Sequence, residues 1–439
     1  MPNRISRRTF TKAGAAAAIG LGALSKASHG RTLGANDRIR LGVIGVANRG
    51  GQLITAFLAH PDCQIAALCD VDRSTLAQAD ARLEGKAETY EDFRRLIDRD
   101  DLDAIVIATP DHWHAIQTID ACNAGKDVYV EKPLSVTVHE GRRMVEAARR
   151  NSRVVQVGTH RRSSALYARL AEQTRAGKVG HIAVSRAYRL SNMSPEGIGR
   201  MQPKEPPKDL NWDMWLGPRP QRPYQENIAP YKFRWWHLYS SQMGNWGVHY
   251  LDAIRWCTGE LAPSSVCAMG GRFAVDDDRT IPDTLETVFE FASGRLAIFG
   301  QYEASGNRAF PVGEIELRGT LGTVYVLPNG RGYEIEPERG GQFQDRSPRM
   351  APEKVQAEGG NQDLTALHAR NFLDCMRSRE KPRADVEIGH RSTSMSLIAN
   401  ISLAVGQRLE WDAEIERFTN SDAANALLHY EYRKPWKLG

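Results

Sequence analysis

The run Gly125-Lys126-Asp127-Val128-Tyr129-Val130-Glu131-Lys132-Pro133 reads as a turn, a short buried strand and a charged pair closed by proline. A lysine at the carboxyl end of a strand in an open parallel sheet points into the crevice where such sheets bind ligands. Its ammonium can hold a substrate hydroxyl or share a proton with it. Glu131 is placed to orient it. On position alone a solvated lysine is the blander reading, and two flanking patterns outweigh it. Upstream, Gly45-Val46-Ala47-Asn48-Arg49-Gly50 lies between an apolar run and a helical one. Downstream, the stretch from Gly244 to Trp256 predicts a helix with Asn245, His249, Asp252 and Trp256 on one stripe at i, i+4, i+7 and i+11. His249 is a candidate base, with a buried structural histidine as the competing reading.

These residues need a scaffold, and the chain offers one. Ile39-Arg40-Leu41-Gly42-Val43-Ile44 predicts a buried strand, and 52–58 a helix. Strand, small-residue turn and helix amino terminus make a pyrophosphate cradle, because free N–H groups and the helix dipole face the anion. Gly45, Ala47, Asn48, Arg49 and Gly50 form that turn, with Ala47 where a second glycine is usual. The next strand, 64–69, ends at Asp70. A carboxylate there accepts from ribose hydroxyls and repels a 2′-phosphate, which favours NAD over NADP; Asp72 is a second acid nearby, and Arg73 argues the other way. A third strand, 104–108, ends at Thr109 and Pro110, on the same sheet edge. His114 either lines a nicotinamide pocket or packs the start of the next helix.

Gly45-x-Ala47-x-x-Gly50, Ala108-Thr109-Pro110, Gly125-Lys126 and above all Glu131-Lys132-Pro133 resemble the Gfo/Idh/MocA family of NAD(P)-dependent oxidoreductases. The resemblance covers nearly the whole chain after its first residues. It implies an α/β Rossmann domain (38–158) followed by an α+β domain (159–419) with a large open, mainly antiparallel sheet, then a tail (420–439). It also implies a catalytic role for Lys132 and for His249. The family carries an aspartate four residues before that histidine, where this chain has Asn245; an amide can orient an imidazole but cannot stabilise imidazolium by charge. His160 and Arg161, just after a strand, become sugar contacts by the same resemblance, or else belong to a solvated basic turn.

Residues 191–232 are rich in Pro and Trp and carry little periodicity, the mark of a functional loop. Trp212, Trp215, Trp235 and Trp236 either stack on pyranose faces or pack a core, with packing expected for at least half of them. Asp252, Trp236 and His237 complete the substrate candidates. Alternating strands follow at 266–272, 284–291, 295–302, 313–318 and 323–327. Helices are expected at 361–379 and 387–409, returning to the first domain. By the same resemblance, one sheet face packs on helices and the other either covers the active site or pairs subunits, and a homo-oligomer is expected.

The amino terminus, Ser6-Arg7-Arg8-Thr9-Phe10-Thr11-Lys12 followed by an Ala/Gly run and Ser25-Lys26-Ala27, resembles a twin-arginine export signal (1–27) ahead of a polar linker (28–37). Its apolar run is too short and Gly-rich for a membrane span. Periplasmic or otherwise exported placement follows as an expectation. Residues 1–27 hold five basic residues and no acid; without them 53 basic residues face 53 acidic ones. A chain with no net field has little to attract nucleic acid. The six cysteines show no C-x-x-C spacing, so no metal site is expected. Outside the inner membrane free NAD is scarce, so the cofactor is expected to be tightly bound. Net oxidation would then stall, and redox-neutral chemistry on a sugar or glycoside, by epimerisation or elimination, competes with simple dehydrogenation. A non-catalytic, cofactor-bearing binding protein is the reading from another class, prompted by Asn245.

Overall fold

The computed structural model describes residues 38–357 and 363–439. The expected export signal and linker, and the first residues of the helix expected at 361–379, lie outside them. The first sheet contains β1 (Ile39–Ile44), β2 (Cys63–Cys69), β3 (Glu88–Tyr90), β4 (Ala104–Ile107), β5 (Asp127–Val130) and β6 (Val155–Val157). Its order is β3-β2-β1-β4-β5-β6, with every pair parallel. β4, β5 and β6 are buried throughout, as strands covered by helices on both faces must be. Between β1 and β4 the chain direction of the crossovers reverses, opening a crevice at the strand ends.

The second sheet has ten strands: β7 (Ile182–Leu190), β8 (Ser265–Gly271), β9 (Thr284–Glu290), β10 (Leu296–Tyr302), β11 (Ile315–Gly319), β12 (Gly322–Val326), β13 (Gly332–Pro337), β14 (Glu353–Gln356), β15 (Leu409–Asp412) and β16 (Arg417–Phe418). The order is β14-β13-β12-β11-β7-β10-β9-β8-β15-β16. Among the described residues only β7 and β10 run parallel; the sheet is mixed and mostly antiparallel. Its inner face packs on helices Ala165–Arg175, Val248–Thr258 and Val386–Val405, through Leu285, Phe289, Phe299, Leu317, Leu251 and Ile398 among others. The architecture is an α/β Rossmann domain followed by an α+β domain.

One expectation is corrected. The helix expected at 387–409 stops at Val405, because Gly406 takes the left-handed conformation (φ +67°) that ends it. Leu409 then pairs with Val266 as a sheet strand. β7, where the sequence marks no strand, lies in the middle of the sheet; Arg186 and Arg189 interrupt its apolar pattern.

The Pro/Trp-rich segment builds a small core of its own from Trp212, Trp215, Tyr224, Phe233, Trp236 and Tyr239. It is tied to the end of β2: Asn211 N–H donates to Val71 O (2.9 Å) and Arg73 N–H to Asp209 O (2.9 Å). A disordered loop has no such core, and here the packing reading of the tryptophans prevails. Trp212 and Trp215 stack at 4.8 Å.

Candidate active site

Gly45 sits at φ +81°, and a Cβ there would lie 2.7 Å from the Ala108 and Thr109 backbone. At Gly50 a Cβ would fall 1.9 Å from Gly45 O. The turn therefore tolerates no side chain at either position, and helix Asn48–Leu58 begins hard against β1. Asp70 closes the turn from β2: its Oδ2 accepts from Val46 N (2.9 Å) and its Oδ1 from Asp72 N (3.1 Å). Burial raises its pKa. Asp72 is spent on capping the helix Arg73–Arg82, accepting from Ser74 N and Thr75 N. Gly45, Ala47, Asn48, Arg49, Asp70, Thr109 and Pro110 line a cavity of about 180 Å³. Gly50 stands behind it as a spacer.

A second cavity, about 670 Å³, shares Asn48, Arg49, Ala108, Thr109 and Arg234 with the first. Lys132, Asn245, His249, Glu131, His114, His160 and Arg161 all line it. Lys132 Nζ donates to Asn245 O (2.8 Å) and to Asn245 Oδ1 (2.9 Å). An ammonium has three N–H groups, so one remains for a ligand. Burial pulls the Lys132 pKa down to about 8, against the opposing charge of Glu131. Glu131 accepts from Arg49 Nε (2.7 Å) and from the Lys132 N–H (3.1 Å). It fits because Gly158 carries no Cβ, which would lie 2.8 Å from its carboxylate.

His249 is buried, its Nδ1 takes no protein hydrogen bond, and burial together with Lys132 holds its pKa well below the usual range. It is a neutral imidazole, able to accept a proton. His160 stacks edge-on against it at 5.2 Å, with a pKa pulled down to about 3 by burial and by Arg49. Arg161 is buried, not a solvated turn: it pairs with Glu314 (2.6 Å) and lies over Tyr250 (4.7 Å), while its Nη1 has no protein acceptor.

Two models of the Gfo/Idh/MocA oxidoreductase family match this chain: the NAD-binding Rossmann fold over residues 39–159 and the C-terminal alpha/beta domain over 186–286 and 355–438. The chain belongs to the Gfo/Idh/MocA family. Similar curated proteins include a glycosyl hydrolase family 109 protein of Saccharopolyspora erythraea, 34% identical over 34% of this chain and 38% of that protein. Another, from Solibacter usitatus, is 37% identical over 31% of this chain and 35% of its own length. The chain thus matches little more than a third of those relatives' length. Among solved structures, levoglucosan dehydrogenase in complex with NADH superposes with TM-score 0.67 at 18% identity, over 85% of this chain and 99% of that one. Aldose-aldose oxidoreductase from Caulobacter crescentus, complexed with glycerol, gives 0.63 at 18%, over 85% and 99%. These likenesses show a shared fold.

Against the Gfo/Idh/MocA pattern, several expected contacts are redrawn. Asn245 does not orient His249. Residues Met243–Gly247 form a π-helical turn ahead of the helix Val248–Thr258, so the expected single helix is two geometries. In that turn the Asn245 amide meets Lys132 and, through Nδ2, Gln242 Oε1 (3.1 Å). Asp252 never reaches the cavity: both its oxygens accept from Arg162 Nε (3.0 and 2.9 Å), and Ser392 Oγ donates to it (2.6 Å). Trp236 is buried in the tryptophan core, its indole N–H on Asn227 O (2.7 Å). His237 is exposed and bonds Thr280. His114 lies in the cavity wall, yet both ring nitrogens meet backbone carbonyls, Pro133 O (2.7 Å) and Thr109 O (3.0 Å), so the packing reading describes it.

Other residues enter the site beyond the candidates that the sequence marks. Asp111, Arg234 and Trp246 line the larger cavity, as do Asp363 and Thr365 at the start of helix Leu364–Ser378. Gln242 and Glu303 lie behind Asn245. Gln242 precedes Asn245 by three residues, a usable helical signal; nothing local marks Glu303, which follows β10.

Proposed function

We propose that this chain oxidises a hydroxyl of a sugar or glycoside, using NAD bound across the two adjoining cavities. What carries the reading is the meeting of Lys132, with one free N–H, and neutral His249 in a cavity that opens onto the glycine turn. The residues fit the cofactor: the turn at 45–50 presents a helix amino terminus to a pyrophosphate, and each Asp70 oxygen keeps a lone pair for a ribose hydroxyl. When bound, NAD would supply a hydride acceptor for the carbon bearing the reacting oxygen. Lys132 holds that oxygen and favours its alkoxide character; His249 receives the proton. Arg161, in the wall of the larger cavity, adds positive charge beside a substrate oxygen. Asp70 lines the smaller cavity and would accept from ribose hydroxyls while repelling a 2′-phosphate, and Arg73 is not in that lining, which supports NAD over NADP.

Tight cofactor retention is part of the proposal. Pro207, Leu210, Trp215, Tyr224 and Phe233 of the tryptophan segment line the smaller cavity with Asp70. The tail holds this strap: Arg433 Nε donates to Gly217 O (3.0 Å), its Nη1 to Asp213 (2.6 Å) and its N–H to Pro218 O (2.9 Å). Trp436 packs edge-on against Trp113 at 4.7 Å, and Trp113 also lines the cavity. The double variant Arg433→Ala, Trp436→Ala is expected to release NAD about tenfold faster or more, as losing contacts worth about 1.4 kcal/mol would require. Cofactor content after extended dialysis measures it, and unchanged retention refutes the strap.

A second reading, redox-neutral glycoside cleavage or epimerisation, is favoured by the family 109 glycosyl hydrolase relatives and by the covered cofactor cavity. Turnover of a glycoside panel without added NAD, in deuterated water, decides between the two. Many turnovers with deuterium beside the oxidised carbon support the neutral cycle; stoichiometric NADH without deuterium supports net oxidation. A thermal shift with no change in any ligand would leave only a binding protein. Export through the twin-arginine route belongs to the same proposal and rests on Arg7 and Arg8; cell fractionation with an Arg7→Lys, Arg8→Lys variant tests it.

A further inference from the structure

Lys132 is held by an amide, and an amide has a wrong way round. Asn245 helps Lys132 only while Oδ1 faces the ammonium; turned over, its NH₂ would point a donor at a donor. A protonated Lys132 selects that orientation, but a neutral lysine nitrogen could accept from the turned NH₂, so the contact with Lys132 does not hold the amide once the proton is lost. The next residue outward does: Asn245 Nδ2 donates to Gln242 Oε1 (3.1 Å), and Gln242 is itself an amide. Gln242 Nε2 donates to Glu303 Oε1 (2.9 Å). There the ambiguity stops, because three donors converge on Glu303: Gln242, the Trp235 indole (3.1 and 3.0 Å) and Arg279 Nη1 (2.5 Å). A carboxylate receiving three donors is acceptor-only. Arg279 is fully buried and also grips Asp277 in a fork (Nε to Oδ1 2.8 Å, Nη2 to Oδ2 2.8 Å), so the anchor itself is fixed.

We infer that Glu303, through Gln242, is a positioning residue that fixes the Asn245 amide with its oxygen toward Lys132 and thereby keeps Lys132 protonated in the site. The chain of bonds has one direction. An acceptor at Glu303 forces Gln242 to donate outward and accept inward, which forces Asn245 to do the same and leaves Oδ1 for Lys132. Such a relay substitutes for a carboxylate at 245, which would present an oxygen in either orientation. The inference rests on the reading that Lys132 holds the reacting oxygen, and its test reads Lys132 directly.

The consequence of Glu303→Gln follows from the same geometry. Arg279 and Trp235 keep the new side chain's oxygen on their side, so its NH₂ faces Gln242. Gln242 must then turn, Asn245 must turn with it, and Lys132 loses one of its two acceptors. Other charged and titratable groups around Lys132 are Glu131, Asp111, Arg234, Arg49 and His249, with His160 and His114 in the same wall, and none of them changes.

The measurement is competitive acetylation of the purified holoenzyme from about pH 6 to about pH 10, spanning the range of a perturbed lysine, with the Lys132 peptide quantified by mass spectrometry. Glu303→Gln is expected to lower the Lys132 titration by about one pH unit or more, the worth of a hydrogen bond to a charged group. The alkaline limb of turnover should move down with it, while bound NAD and thermal stability are monitored as controls. Gln242→Met, which leaves Glu303 and Arg279 intact, is expected to lower it as well and serves if Glu303→Gln does not fold. In an Asn245→Asp background the downward shift should vanish. An unmoved Lys132 titration in both single variants, or an equal shift with Asp at 245, overturns the relay. Because labelling reports protonation without turnover, a relay that holds while Lys132→Met remains active would instead reject the catalytic reading.

Discussion

Replacing Lys132 by methionine is expected to leave NAD bound and to lower kcat by about 10³-fold, within the range of positioned proton-transfer groups. Methionine keeps the length and apolar stem of the side chain but removes the charge and the donor. Its neighbours lose little: Asn245 keeps its bond to Gln242, and Glu131 keeps Arg49. Cofactor content and stability should therefore match the parent protein, and the loss should fall on kcat with little change in KM, as for an interaction strengthened in the transition state. Steady-state kinetics on the substrate found from the glycoside panel measure it. Activity within tenfold of the parent would remove Lys132 from the chemistry and leave His249 without a partner. The protonation state adds a second signature. With the Lys132 pKa lowered to about 8, the ammonium is present below that value and lost as pH rises through it, so turnover that depends on the donor declines above about pH 8.

Asp252→Ala is expected to destabilise the protein by about 3–5 kcal/mol, the usual result of leaving a buried arginine without its partner. Arg162 is buried against Asp252 and lies over Trp256 at 5.1 Å. Urea unfolding of the holoenzyme, read by tryptophan fluorescence, gives the value. The pair Arg162→Met with Asp252→Leu should recover most of the loss, because apolar residues of like volume need no charge partner. A change below about 1 kcal/mol for Asp252→Ala would contradict the structural role. A raised KM in stable Asp252→Asn would restore it to the substrate.

The first domain was legible because its signals are local. Buried parallel strands read as apolar runs, and a glycine turn with an acid at the next strand end states its own geometry: Gly45 needs positive φ, and Gly50 needs the absence of a Cβ. Glu131-Lys132-Pro133 was legible for the same reason, as a strand end beside that turn. The second sheet was half legible. Its hairpins alternate clearly, whereas β7 carries arginines and pairs with β10 in parallel across more than a hundred residues of chain, a pairing no local pattern announces.

At the site, the sequence by itself determined the residue types and the elements that carry them: a glycine turn, a strand-end lysine, a histidine helix, and an amide four residues before that histidine. Tertiary structure alone decided which polar groups face the cavity and which face each other. Helical spacing put Asn245, His249 and Asp252 on one stripe, but a π-helical turn displaced the first, and Arg162, arriving from another element, claimed the third. Glu303 lies sixty-one residues from Gln242 in sequence and one hydrogen bond from it in space. Periodicity records which face of an element is apolar. It cannot record the partner a buried polar group will meet, because that partner is supplied by another part of the chain, and only the folded packing brings the two within bonding distance.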